Sequence, residues 1–379
     1  MSRRLPPFDP ASLRRALVIK LRHHGDVLLT SPVLSSLKAV APEAEIDSLV
    51  YADTAPMLDG HPALAQLHQI DRHWKRLGPR RQLAAEWQLL QTLKRREYDL
   101  VLHLTEHNRG AWLSRWLQPR WSVAPAIGRS RFFNRSFGKL YPFMTGNRRH
   151  TVELNLDALR ALGIDPAHKA LTLCPSDTAR AKINTLLAMH GLAGQRFVLC
   201  HPGSRWLFKA WPPAHTAAVL NGLMADGWPV VISGAPDAAE RAVVDAVRAQ
   251  LTHPTVDLVG QLSLTELGAL IGRASLLLGV DSAPMHMAAA LDVPQVVLFG
   301  PSGEHDWGPW SDQATVLVGN HPCRPCGLAG CADSGRADCL RALAPAPVLQ
   351  ACRERLAGRV PRRHILVETF KPESSSCAE

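Results

Sequence analysis

No apolar run in this sequence is long enough to cross a bilayer as a helix. The best stretch, Leu264 to Val280, is broken by Glu266 and Arg273. Behind Arg3 and Arg4 there is no apolar core of the kind a secretory signal needs, so the chain is expected to stay in the cytosol unless it adheres to a membrane surface. Eight cysteines in 379 residues do not make a disulfide-stapled miniature, and Cys174 and Cys200, beside apolar runs, are expected to be buried thiols. Charge is not extreme: 20% charged against 46% hydrophobic residues excludes disorder, collagen and coiled coil as the main state.

What is present is a repeated alternation of strand-like and helix-like segments. In the first half, strands are expected at 16–19, 45–51 and 99–104. Helical spacing runs from Leu28 through Leu34 and Leu37 to Ala39, from Leu83 to Arg95, and from Thr151 to Leu162, closed by Gly163. In the second half, strands at 197–200, 229–232, 256–259, 275–279 and 295–299 alternate with helices at 213–226, 237–249, 264–273 and 284–291, and a final helix covers 348–356. Near-continuous apolar strands between helices mean parallel sheets covered on both faces, and two such runs mean two doubly wound α/β domains. The expected division is 1–175, then 176–345 including a Cys-rich loop at 323–339, then a C-terminal helix and tail, 346–379, packing back on the first domain.

The net charge of +10 is unevenly placed. Residues 1–175 carry 26 Lys and Arg against 15 Asp and Glu, a balance of +11, whereas residues 176–379 carry 17 against 18, a balance of −1. A basic half suits a polyanion: nucleic acid, an anionic membrane or an acidic glycolipid. A solvated surface is the plainer reading of any one cluster. The clusters are Arg72/Lys75/Arg76/Arg80/Arg81, Lys94/Arg95/Arg96 and Arg129/Arg131/Arg135/Lys139, and they lack the aromatic interleaving of a single-strand platform.

In doubly wound sheets ligands sit beyond the carboxyl ends of the strands, so the loops there carry the chemistry. His201 to Pro212 follows a strand and opens a helix. Gly203 permits close backbone approach, Ser204 offers a hydroxyl and Lys209 a mobile positive charge, a composition suited to a diphosphate and equally to an ordinary loop with a solvent-facing lysine. The loop is neither a Walker loop nor a G-x-G-x-x-G fingerprint. Asp281-Ser282-Ala283-Pro284-Met285-His286 opens another helix; Asp281 or Ser282 can cap it, or its free N–H groups can bind phosphate, and His286 can face the same site or simply pack. Asp26, in the matching loop of the first half, is either a helix cap or a carboxylate able to take a proton from a substrate hydroxyl. Cys323, Cys326, Cys331 and Cys339 fall within 17 residues of a Pro/Gly-rich loop, where four thiols can bind a structural zinc, pair as disulfides or stay free.

Three segments in this order resemble the ADP-heptose–lipopolysaccharide heptosyltransferase family (glycosyltransferase family 9): Lys20 to Pro32, His201 to Pro212 and Gly279 to His286. His150 to Leu162, Ser233-Gly234-Ala235-Pro236-Asp237 and the Cys-rich loop support the match. The phrase from His201 to Trp211, with the cysteines, looks most like the heptosyltransferase III branch. The resemblance implies a GT-B fold, with two Rossmann-like domains facing a central cleft. It also implies inverting, metal-independent transfer of heptose from ADP-heptose to the inner core of lipopolysaccharide, needing no cofactor for catalysis.

It further implies Asp26 as general base, Gly203, Ser204 and Lys209 at the donor phosphates, and Asp281, Ser282 and His286 in the second donor motif. Family members often carry an acid beside the Gly-Ala turn that contacts the ribose. Here Pro236 stands in that place, and Asp237 beside it is the substitute. An anionic acceptor agrees with the basic first half, with Arg129, Arg131 and Arg135 as candidate contacts and the anionic inner leaflet as a further partner of a cytoplasmic, membrane-peripheral enzyme. No nucleic acid is expected. Two alternatives stand beside this one: a GT-B glycosyltransferase with another nucleotide sugar or acceptor, and a zinc-dependent nucleic-acid-binding protein.

Overall fold

The computed structural model of the chain describes residues 6–76, 78–127, 130–144, 146–360 and 364–368. It divides into two compact units, Met1–Cys174 and Pro175–Glu379. Among the described residues the first unit has six strands: β1 (Arg15–Ile19), β2 (Glu45–Tyr51), β3 (Leu64–Ile70), β4 (Leu100–His103), β5 (Trp121–Ala126) and β6 (Lys139–Pro142), in the order β3-β2-β1-β4-β5-β6. The second has seven: β7 (Val198–His201), β8 (Val230–Ile232), β9 (Val256–Asp257), β10 (Leu276–Val280), β11 (Gln295–Phe299), β12 (Ala314–Gly319) and β13 (His364–Glu368), in the order β13-β12-β11-β10-β7-β8-β9. This is the same winding with one strand added. Every pairing is parallel; Ile19 sits opposite both Leu49 and His103, and Leu278 opposite both Cys200 and Val296.

The central strands β4, β7, β10 and β11 are buried along their whole length. That burial on both faces is why they read as unbroken apolar runs. In the first unit Leu17, Ile19, Leu49 and Val101 pack with Leu93 and Leu113 from the covering helices. In the second, Val198, Leu278 and Leu298 pack with Leu220, Val244 and Val348. Both windings reverse between the first and fourth strands of the unit, at β1/β4 and at β7/β10. These are the switch points where the ends of diverging loops leave a crevice.

The structure departs from the sequence reading in three places. The helix expected from Leu28 to Ala39 is two helices, His24–Leu28 and Ser31–Val40. Pro32 has no N–H to continue the first helix, and the Thr30 hydroxyl donates to the Val27 carbonyl at 2.6 Å to close the break. The outer strands β3, β5, β6, β12 and β13 went unforeseen, as did the helices Asn108–Leu117 and Asp177–Met189. Segment 346–379, expected as a separate piece, is part of the second unit as far as it is described. Helix Pro345–Leu356 buries Val348, Ala351 and Cys352, spaced three and four apart, in the second unit's core. The buried Arg355 there donates to the Thr315 hydroxyl at 2.7 Å, and β13 extends the same sheet. Residues 369–379 lie outside the described residues.

Candidate active site

At the second unit's switch point, β7 delivers the loop beginning at His201 and β10 the loop beginning at Asp281. The Lys209 ammonium donates to Asp281 Oδ2 at 2.6 Å, joining two loops 72 residues apart in sequence. Asp281 is 7% exposed, so this is a largely desolvated pair, and removing one partner would strand the other's charge. Directly after Asp281 comes helix Ala283–Ala290. Ser282 occupies its N-cap position with extended backbone, but its hydroxyl donates back to the Val280 carbonyl at 3.3 Å and caps no helical N–H. Pro284 in the first turn has no N–H and the Met285 N–H donates to the Ser282 carbonyl at 3.2 Å, which leaves the Ala283 N–H to meet an anion there. His286, within that helix, is buried.

The neighbouring loops hold an acid that the sequence reading missed. Glu240 is buried, and its Oε2 accepts from the Ala235 N–H at 2.9 Å and lies 3.7 Å from His201 Nε2. Burial raises the Glu240 pKa above the usual carboxylate range. Burial also lowers His201 to about 4, so its ring is neutral at physiological pH, with Nδ1 3.0 Å from the Ser233 hydroxyl. Gly203 lies against this acid. A Cβ at Gly203 would stand 2.6 Å from Glu240 Oε2, so its close approach is to a carboxylate of the protein itself. Asp237, expected as the ribose contact, is exposed and caps helix Ala238–Arg248, its Oδ1 accepting from the N–H groups of Ala239 and Glu240 at 3.0 Å each. One signal for Glu240 was available: an acid in the first turn of the helix that follows the Gly234-Ala235 turn. Ser204 is buried and accepts a long 3.4 Å bond from the Trp206 N–H.

The first unit's switch point is built in the same way. Asp26 lies in the first turn of helix His24–Leu28, whose N-cap position is His23, so the helix-cap alternative for Asp26 is not what forms. Arg22 stands 3.8 Å from Asp26 and 3.2 Å from Glu106, which follows β4. Beneath them the buried Lys20 donates to the Leu104 carbonyl at 3.1 Å and to Asn155 Oδ1 at 3.2 Å. Burial lowers the Lys20 pKa to about 8, against the opposing pull of Asp26. Asp26 thus belongs to the first unit, and the donor candidates to the second.

Of the basic candidates, Arg129 lies outside the described residues. Arg131 and Arg135 sit on the short helix Arg131–Arg135, both exposed and, among the described residues, without an ion-pair partner. Arg96 leaves the list of surface cations: its guanidinium is paired with Asp47 at 2.7 Å, and Asp47 also accepts from Tyr98 at 2.6 Å.

The four clustered cysteines are all free thiols. Cys339 is turned into the second unit's core, with its pKa raised by burial to about 11, while Cys323 is exposed beside His321 Nδ1 at 3.2 Å. Among the described residues no group of three or more His, Cys, Asp or Glu side chains is arranged to hold a metal ion. The thiols are nevertheless neighbours: Cys323 is hydrogen-bonded with Cys326, and Cys331 lies near enough to Cys323 and Cys339 to help raise the pKa of each.

Two Rossmann-like units, each with polar loops gathered at its switch point, define the architecture of a GT-B-type glycosyltransferase. Residues 86–335 match the glycosyltransferase family 9 (heptosyltransferase) profile. The chain is 37% identical over 295 residues, 77% of its length and 85% of the relative's, to lipopolysaccharide heptosyltransferase 3 of Escherichia coli. A glycosyl transferase family 9 structure from Veillonella parvula shares the fold with a TM-score of 0.78 at 22% identity, covering 91% of this chain and 98% of that one. The Escherichia coli heptosyltransferase WaaC with ADP superposes with a TM-score of 0.68 at 18% identity, covering 90% and 99%. The chain belongs to glycosyltransferase family 9. That membership makes it a glycosyltransferase and displaces the nucleic-acid-binding alternative as its class.

Proposed function

We propose that this chain transfers heptose from ADP-heptose to the inner core of lipopolysaccharide, with inversion, as a heptosyltransferase III-like enzyme. The observation that carries the reading is the Lys209–Asp281 pair at the switch point of a family 9 chain, a cation held beside an uncapped helix N-terminus. The name of the relative at 37% identity, lipopolysaccharide heptosyltransferase 3, supports the same substrates. In this reading an acceptor hydroxyl attacks the anomeric carbon while its proton passes to the Asp26 carboxylate. The bond from that carbon to the diphosphate oxygen breaks, and its electron pair leaves with ADP. Lys209 and the helix N-terminus take up the developing charge, the role a divalent ion has elsewhere. Gly203, Ser204, Ser282 and His286 line the donor side. Glu240 replaces Asp237 as the acid beside the Gly-Ala turn, since the Asp237 oxygen is spent on its helix. Arg131 and Arg135 face the anionic acceptor, and an anionic inner-leaflet surface is the second partner of the basic half.

The test is ADP release from purified protein given ADP-heptose and a core-truncated lipopolysaccharide, with and without EDTA. Release that requires both substrates and survives EDTA is expected. No release with ADP-heptose, but turnover with another nucleotide sugar, would replace the donor.

A further inference from the structure

Helix Pro79–Arg95 is an anomaly in a well-packed unit. Of its 17 residues only Leu93 is buried, yet its outer face carries Leu83 at 71% and Trp87 at 51% exposure. Beside it, helix Asn108–Leu117 exposes Trp112 at 63% and Trp116 at 43%. These side chains form one surface. The Trp87 and Trp116 rings meet edge-on at 5.7 Å, Trp112 lies 4.6 Å from Phe132, and an open groove of about 480 Å³ runs between the two helices. Isolated exposed apolar residues are ordinary, but four large ones on two adjacent helices are a patch that calls for a partner.

The charges around the patch identify that partner. Arg80 and Arg81 stand in the first turn of helix Pro79–Arg95, where cations oppose the helix dipole, and neither has an ion-pair partner among the described residues. Lys94 and Arg95 lie at its other end, and Arg109 and Arg115 on the neighbouring helix. The single acid on the two helices, Glu86, is already bound to Arg109. A protein partner or second copy would need a matching acidic and apolar face. A bilayer bearing anionic headgroups supplies both requirements at once: tryptophan prefers the boundary between hydrocarbon and headgroup, and lysine and arginine are drawn to the anionic surface.

We propose that the face made by helices Pro79–Arg95 and Asn108–Leu117 seats the enzyme on an anionic lipid bilayer, with Leu83, Trp87 and Trp112 entering the interface and Arg80 and Arg81 on the headgroups. It rests on the functional reading above only in taking the bilayer as a partner; donor and acceptor chemistry could fail and leave it standing.

Co-sedimentation of the full chain with vesicles tests it, comparing phosphatidylcholine alone with phosphatidylcholine mixed with phosphatidylglycerol. The parent should bind the anionic vesicles and release as salt rises. Leu83→Ser/Trp112→Ser should weaken that binding by at least about tenfold. Arg80→Ser/Arg81→Ser, at two exposed positions, should weaken it by about fivefold per charge removed and keeps the test valid if the first variant melts early. Equal binding to both vesicle types, or parental binding by the arginine variant, would overturn the proposal. So would a parent dimer that Leu83→Ser/Trp112→Ser converts to monomer with vesicle binding intact, since a second copy would then own the face. ADP release from a delipidated core oligosaccharide, measured alongside, reports separately on the transferase reading.

Discussion

The two units wind their strands in the same order and place their polar loops at the same switch points, yet the chemistry they hold differs. In the second unit a lysine and an aspartate from the two loops neutralise one another at 2.6 Å beside an uncapped helix. In the first, the lysine at the end of β1 is buried under the site and bonded to a carbonyl and an amide, and the ion pair Asp26 makes among the described residues is a long one, 3.8 Å to Arg22. Topology chooses where a ligand can sit; the identity of two or three residues chooses whether that place suits a departing anion or a proton acceptor. The surfaces differ too, with the whole basic excess on the first half and near neutrality on the second.

The largest effect expected from breaking this contrast is at Asp26. Asp26→Asn keeps the shape and removes the proton acceptor, so turnover should fall by about two to four orders of magnitude. Steady-state ADP release measures it, and near-parental turnover would remove Asp26 from the chemistry.

A smaller effect sharpens the second unit's side. Gly203→Ala would press a methyl against Glu240 Oε2, which is fixed by the Ala235 N–H. The expected cost is about 1–3 kcal/mol in urea unfolding, from crowding and a strained hydrogen bond. Unchanged stability would show that Glu240 moves freely and does not organise the loop.

A comparable effect, confined to acid, concerns pH. His201 has a folded pKa of about 4 against an unfolded 6.5, so between these values the unfolded chain binds more protons. The stability tied to neutral His201 is complete above pH 6.5 and is lost as pH falls towards 4, by about 3 kcal/mol at most. His201→Gln should flatten that part of the stability curve. A variant that loses stability on acidification as steeply as the parent would assign the loss to other groups, the buried His61 and His103 of the first unit among them.

Much of this was legible in the residues. The central strands announced themselves because burial on both faces demands unbroken apolar runs, and the loops after them were marked by Lys209, Asp281 and Asp26. The outer strands were not legible: β3 mixes Gln66, His68 and Gln69 with its apolar residues, and β5 and β6 contain Pro125 and Pro142, which read as breaks. Spacing could not tell that Asp237 would cap its helix while Glu240, three residues on, would turn inward, because both are acids at the start of one helix. The spacing of the four cysteines showed that they share one loop, but not that Cys339 would be buried beside Leu340 while Cys323 stays exposed. Trp87, in step with Leu83, Leu90 and Leu93, looked like a core position at helical spacing, and only the fold revealed that it is half exposed.

The division of labour between the two switch points is tested most directly by calorimetric titration of ADP into Asp26→Asn and Lys209→Ala side by side. Asp26→Asn should bind ADP within about twofold of the parent, and Lys209→Ala at least about tenfold more weakly, the loss of one charge-assisted contact to a diphosphate. Parental ADP affinity in Lys209→Ala, with weakened binding in Asp26→Asn, would contradict the account.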